Sequence, residues 1–154
     1  MANRKADAIT MTAEEDILKA KQAIGAKAKR QTVGKAVIFG DTTIRNNPGM
    51  KEANEGDEAK FAGVIKAVSG EQVRDCSMPY NIGDVNCPTN VSASVERNCE
   101  TVVLLSSDVD ANGELKLGDN GTFQAAASGD DVVGRAYEEG EDGQPIMAYI
   151  SAAQ

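Results

Sequence analysis

Val91-Ser92-Ala93-Ser94-Val95-Glu96-Arg97-Asn98-Cys99-Glu100-Thr101-Val102-Val103-Leu104-Leu105 places two strands end to end. Val91, Ala93 and Val95 alternate with two serines, a period of two that puts the apolar set on a core face and the serines on the other. Asn98 marks the turn between the strands. Val102 to Leu105 then run apolar on both faces, which predicts a strand lying centrally in its sheet or beneath a second layer.

Read outward from this pair, the same character extends from just after Gly34 to the C-terminal end of the chain. Strands are expected at Lys35–Phe39, Phe61–Val68, Gln72–Asp75, Val91–Arg97, Thr101–Leu105, Glu114–Leu117, Thr122–Ala126, Asp131–Tyr137 and Pro145–Ser151. Between them stand turn formers: Gly83-Asp84, Ala111-Asn112-Gly113, Asp119-Asn120-Gly121, Gly129-Asp130 and Asp142-Gly143. Spacings of about a dozen residues or fewer favour a small barrel-like or sandwich body built from hairpins over βαβ units. The polar, Pro/Gly-containing stretch Asn46–Asp57 is expected to be a loop. With six aromatic residues and no Trp, the core must rest on Val, Ile, Leu and Ala. A core that thin is often completed by association with other chains.

The first 34 residues differ. Thr12-Ala13-Glu14-Glu15 is a capping-box pattern and predicts a helix beginning at Ala13. Ile17, Ala20, Ile24 and Ala28 keep helical spacing, with acids in the first turn and Lys27, Lys29 and Arg30 near the end, and Gly25 is an alternative end point. The apolar stripe is too narrow to stand alone in water, so the helix needs its own body or a partner to lie against. Charge divides at the same place: residues 1–35 hold eight Lys/Arg against four Asp/Glu, and the remainder eight against twenty. The chain thus divides into a basic helical arm, residues 1–34, and an acidic β-rich body, residues 35–154. A body that folds without residues 1–30 is the corollary.

Catalytic chemistry is hard to find. The absence of histidine removes the commonest general base, the Ser-His and Cys-His pairs and most catalytic zinc sites. Cys76, Cys87 and Cys99 cannot all pair within one chain and offer no CxxC motif, so they read as reduced, interior thiols. No Walker A or GxGxxG motif occurs, and no cofactor is expected. Asp108, Asp110 and Asn112 with Gly113 match the start of a DxDxNG calcium loop, and Asp119 falls at its twelfth position, one methylene shorter than the usual Glu. A hairpin with Asn112-Gly113 at its tip explains the same residues without metal and is preferred. Lys27, Lys29, Arg30 and Lys35 could make unspecific phosphate contacts, but without interleaved aromatics no sequence-specific nucleic-acid reading is expected. No stretch approaches about 20 consecutive apolar residues, and the start MANRKADAITMTAEED lacks a signal-peptide core, so no membrane partner is expected and synthesis in a cytoplasm is.

The layout of residues 61–151 resembles the capsid cement, or decoration, proteins of tailed bacteriophages. The resemblance is carried by FAGVI (Phe61–Ile65), YNIGD (Tyr80–Asp84), VSASVER (Val91–Arg97), TVVLL (Thr101–Leu105), NGEL (Asn112–Leu115), VVGRAYE (Val132–Glu138) and PIMAYIS (Pro145–Ser151). It implies a tulip-like β-body without catalytic residues. It also implies a virion protein, made in the host cytoplasm, that binds the outside of the major capsid protein shell across subunit junctions, often as a trimer. The arm departs from the compact members, and Ile17, Leu18, Ile24, Lys27, Lys29 and Arg30 are the expected capsid contacts, with the apolar strands serving self-association. An unspecific nucleic-acid-associated protein using its basic arm and a calcium-dependent binding module are the competing readings.

Overall fold

The computed structural model describes residues 8–14, 34–68 and 92–152. Among the described residues, ten strands fall into two sheets. β1 (Ala8–Ala13), β2 (Ala36–Ile44), β3 (Asn47–Glu52), β4 (Phe61–Val68) and β5 (Ser92–Glu96) make the first. β6 (Glu100–Leu104), β7 (Glu114–Leu117), β8 (Phe123–Ala125), β9 (Gly134–Ala136) and β10 (Pro145–Ile150) make the second. Helix among the described residues is limited to single 3-10 turns at Glu58–Lys60 and Asp119–Gly121. The mainly β character read from the sequence holds.

The first sheet is a ring in the order β1-β3-β2-β4-β5, with β1 hydrogen-bonded to β3 in parallel and to β5 in antiparallel fashion. Two of its strands, β1 and β3, form where the sequence pattern predicts a helix start and a loop. β3 lies in the stretch expected to be loop. It pairs with β2 through a hairpin whose two central residues, Arg45 and Asn46, have φ of 53° and 67°. Positive φ at both positions matches the right-handed twist of the strands, but without glycine the turn carries little sequence signal. Pro48 has no N–H to donate, and β1 pairs with β3 only from Gly49 onward.

The other correction concerns the arm. Thr12 and Ala13, expected to open a helix, are strand residues, because their partners lie across the sheet. Thr12 Oγ1 is 2.8 Å from Ser92 Oγ, and the Glu14 amide donates to the Met50 carbonyl at 2.9 Å. Residues 15–30, the rest of the expected helix, lie outside the described residues, as does the expected strand Gln72–Asp75. A chain lacking residues 1–30 therefore loses one of the five strands of the ring.

Each strand of the ring contributes to one apolar cluster: Met11, Ala13, Val37, Met50, Ala62, Ile65, Ala93 and Val95. A second cluster unites the two sheets. Ala36, Ile38, Ala53, Phe61 and Val64 from the first meet Val103, Leu105, Leu115, Leu117, Phe123, Ile146, Ala148 and Ile150 from the second. Phe61 and Phe123 meet edge to face, centroids 5.8 Å apart, a geometry worth about 1 kcal/mol beyond the buried area. β2 and β4 therefore serve both cores. The pairing register shifts between Val37 and Ile38, opposite Gly63 at φ 149°, which lets Phe61 and Val64 share a face at a spacing of three.

A polar clasp fastens the two sheets beside this core. The Gly121 amide donates to the Ala53 carbonyl at 2.7 Å, the Glu55 amide to Asp119 Oδ1 at 3.1 Å, the Asn120 amide to Asn54 Oδ1 at 3.0 Å, and the Leu117 amide to Glu58 Oε2 at 3.0 Å. Under it runs Lys35, fully buried, its Nζ paired with the Glu52 carboxylate. Gly121, at φ 75°, lies so close to the Lys35 stem that a Cβ there would overlap it. By its place in the sequence, Lys35 belongs with Lys27, Lys29 and Arg30 as a cation available for unspecific phosphate contact. Its burial and its pairing remove it from that role.

The second sheet runs β6-β10-β9-β7-β8, antiparallel throughout. β6, expected centrally or under cover, is an end strand, tied to β8 by a single parallel bridge between Leu105 and Phe123. The expected hairpin at Asn112-Gly113 is a turn closed by the Gly113 amide on the Asp110 carbonyl at 2.9 Å, but β6 and β7 on either side pair with other strands.

Removing one partner of a buried ion pair leaves an uncompensated charge among apolar groups, so Lys35→Met is expected to destabilise the fold by about 3 kcal/mol. Gly121→Ala is expected to cost about 1–3 kcal/mol through its strained φ and the overlap with Lys35. Urea unfolding of each variant against the parent chain measures both.

Candidate interaction surfaces

Among the described residues, three surfaces gather side chains beyond the needs of the core. The first surrounds Glu14, at the end of β1. Its Oε2 accepts from both the amide and the hydroxyl of Thr42, each at 2.7 Å, and Lys51 Nζ lies 3.9 Å from Oε1. A Cβ at Gly40 or Gly49 would overlap this carboxylate. The two glycines make room for it, and the Thr42 hydrogen bonds, with Lys51 adding charge, hold Glu14 below the usual carboxylate range. Glu14 thus pins β1 to the β2–β3 hairpin. The capping-box pattern of Thr12 and Glu15 places Glu14 instead in the first turn of a helix.

The second surface contains the residues matching a calcium loop. Asp108, Asp110, Glu139 and Glu141 line a cleft of about 260 Å³ together with Val109, Gly140 and Gln144. Val109 and Gly140 exchange two backbone hydrogen bonds across its floor, at 2.8 and 2.9 Å. Asp108 Oδ1 accepts from the Asp142 amide at 3.0 Å. Asn112 turns the chain at φ 66°, β7 then runs extended, and Asp119 is spent on the clasp with Glu55. The twelve residues thus serve two separate loops. Among the described residues no group of three or more His, Cys, Asp or Glu side chains is placed to hold a metal ion.

The third surface is the outer face of the second sheet. Glu100, Val102 and Leu104 of β6 stand opposite Tyr149, Met147 and Pro145 of β10, and Tyr137, just past β9, donates its amide to the Met147 carbonyl at 3.0 Å. Val102 is 46% exposed, Tyr137 44% and Met147 38%. The Tyr137 hydroxyl is 3.4 Å from Glu100 Oε2, and Glu138 Oε2 accepts from the Met147 amide at 2.9 Å. Alternation in Pro145–Ile150 sends Ile146, Ala148 and Ile150 inward, so both faces of this strand are apolar. That was the available signal, the same one noted for Val102–Leu105.

The remaining sites read from sequence fare as follows. Ile17, Leu18, Ile24, Lys27, Lys29 and Arg30 lie outside the described residues, as do Cys76 and Cys87. Cys99, expected inside, is half-buried. Arg97, no site candidate but the end of the VSASVER stretch, is folded onto the body, with its guanidinium 5.4 Å from the Phe39 ring centroid and its Nε donating to the Ala62 carbonyl at 3.1 Å.

Comparison with known protein families found no match, and neither did comparison with curated proteins. Among solved structures, the chain resembles the head fiber gp8.5 N base of bacteriophage phi29. The TM-score is 0.53 and the identity 15%, over 97% of this chain and 98% of that one. The likeness is one of fold.

Because Glu14 has a lowered pKa in the folded chain, its stabilisation is present above the unfolded carboxylate value and is lost as pH falls through the folded one. Glu14→Gln is expected to lower the thermal midpoint at pH 7, with the gap to the parent closing in acid. Calorimetry at a series of pH values measures that gap. Millimolar calcium is expected to leave the parent's midpoint unchanged, since the acidic loop offers no assembled ligand set. A rise abolished by Asp108→Asn would show a site forming on binding.

Proposed function

We propose that this chain is a non-enzymatic structural protein of a phage virion that binds the outside of the major capsid shell and stabilises it across subunit junctions. The observation that carries the reading is the fold likeness to a phage head fiber base over nearly the whole of both chains. The cement-protein layout of residues 61–151 points the same way. Fold alone does not assign function, and the chemistry of the chain supplies the rest of the support. It has no histidine, and the conspicuous exposed features among its described residues are a charged loop and an apolar sheet face, which suit binding rather than turnover.

The physical logic of such a protein is additive. Each copy contributes modest contact free energy between neighbouring shell subunits, and repetition over the shell turns weak contacts into a strong constraint. The partners in this reading are the major capsid protein and further copies of the chain, as in a trimer. The arm, with Ile17, Leu18, Ile24, Lys27, Lys29 and Arg30, is one contact to the shell. The phosphate-binding alternative is weakened by the burial of Lys35.

Co-sedimentation with expanded shells assembled without the protein tests the proposal. Saturable binding at a fixed, symmetry-compatible copy number is the expected result, and no binding at low or physiological salt would sink it. The combined variant Lys27→Glu, Lys29→Glu, Arg30→Glu is expected to bind about tenfold more weakly at low salt. Charge reversal is preferable to truncation because it leaves β1 in place.

A further inference from the structure

We infer that the outer face of β6, β10 and the end of β9 is a docking surface for a protein surface that is apolar at its centre and basic at its rim. The inference deepens the function proposed above, on which it rests for the partner's identity, a subunit of the capsid shell.

The centre of the face is a ladder of directly opposed cross-strand pairs, Val102 with Met147 and Leu104 with Pro145, flanked by Tyr137. Solvent-facing sheet positions ordinarily alternate with the core as polar residues. Here the outward set is apolar on two adjacent strands whose inward set, Val103, Ile146, Ala148 and Ile150, already fills the core. Covering the outer set is therefore not a requirement of folding. Clustered exposed apolar side chains rimmed by polar groups are the anatomy of an interface.

Charge selects the occupant. Residues 98–152 carry eleven Asp and Glu against two cations, Lys116 and Arg135. Both cations are engaged: Lys116 with Asp130 at 3.3 Å and Glu55 at 3.5 Å, and Arg135 with Glu114 at 3.6 Å. The Asp130 carboxylate raises the Lys116 pKa, as a committed pair requires. The rim of the apolar ladder is formed by Glu100 and Glu138, and by Arg135, which stands opposite Tyr149 with its charge offset by Glu114. A second copy meeting this face across a two-fold axis would bring like charges together, which disfavours it. A surface with Lys or Arg around an apolar anchor satisfies both features.

The test uses the full-length chain and expanded shells assembled without it. Val102→Lys with Met147→Lys places two like charges against the expected basic rim. Both positions are exposed, so the thermal midpoint should stay close to the parent's. Thr10→Lys with Thr43→Lys, exposed on the first sheet, makes the same change of charge elsewhere. We expect about tenfold or greater loss of shell affinity for the first pair and little change for the second, with parent binding weakening as salt rises. Equal binding by the two double variants would overturn the docking face and leave the shell-binding function standing. Failure of the parent to bind would overturn that function and this face together. A parent oligomer in sedimentation equilibrium that Val102→Lys with Met147→Lys dissociates, with shell binding unaltered, would assign the face to a second copy and overturn the inference.

Discussion

β2 and β4 are each shared between two cores, and the arrangement of the other strands follows from that. Val37, Ala62 and Ile65 point into the ring of the first sheet, while Ala36, Ile38, Phe61 and Val64 point at the second sheet. A strand committed on both faces cannot slip by one residue without exchanging its two apolar sets, so it fixes register on both sides at once. The register shift opposite Gly63 is the local device that lets one short strand serve both directions.

At the seam, the apolar core gives way to polar groups that run from buried Lys35 out to the exposed Asn54, Glu55, Asp119 and Asn120. Lys35 and Glu52 neutralise each other there, and backbone amides of residues 117–121 find acceptors on residues 53–58 and the reverse. Hydrogen bonds of this kind add about 0.5–1.5 kcal/mol each at most, so the clasp specifies how the sheets meet more than it adds to stability. Glu14 plays the corresponding part just past the C-terminal end of β1, with two glycines leaving space for its carboxylate. With the inner faces consumed in this way, the acidic loops and the outer face of the second sheet are among the described surfaces that neither core uses.

Several elements were legible because their signals are local. The predicted bounds of Phe61–Val68 and Glu114–Leu117 coincide with β4 and β7, and Ala93 and Val95 are buried as the alternation required. β1 and β3 were not legible, for different reasons. Thr12-Ala13-Glu14-Glu15 satisfies a helix-capping rule in isolation, yet Thr12 and Glu14 find better-placed partners in Ser92, Thr42 and Met50, far along the chain. Asn47–Glu52 carries a proline and a glycine that argue against a strand, and its hairpin turn is made by Arg45 and Asn46 without glycine. The calcium-loop spacing at Asp108–Asp119 was a match of letters whose side chains the fold sends to two different loops.

What the sequence by itself determined is the class of the protein: a β-rich, acidic body, no histidine chemistry, and strands whose faces follow from period-two patterning. Those properties depend on composition and on neighbours within a few residues. Only the tertiary structure decided that β1 closes a ring, that Lys35 is an interior cation rather than a surface one, and that β6 lies at an end of its sheet with Val102 uncovered. Each of these is a matter of which distant segments meet, and a pattern of apolar residues states that a face must be covered without stating by what.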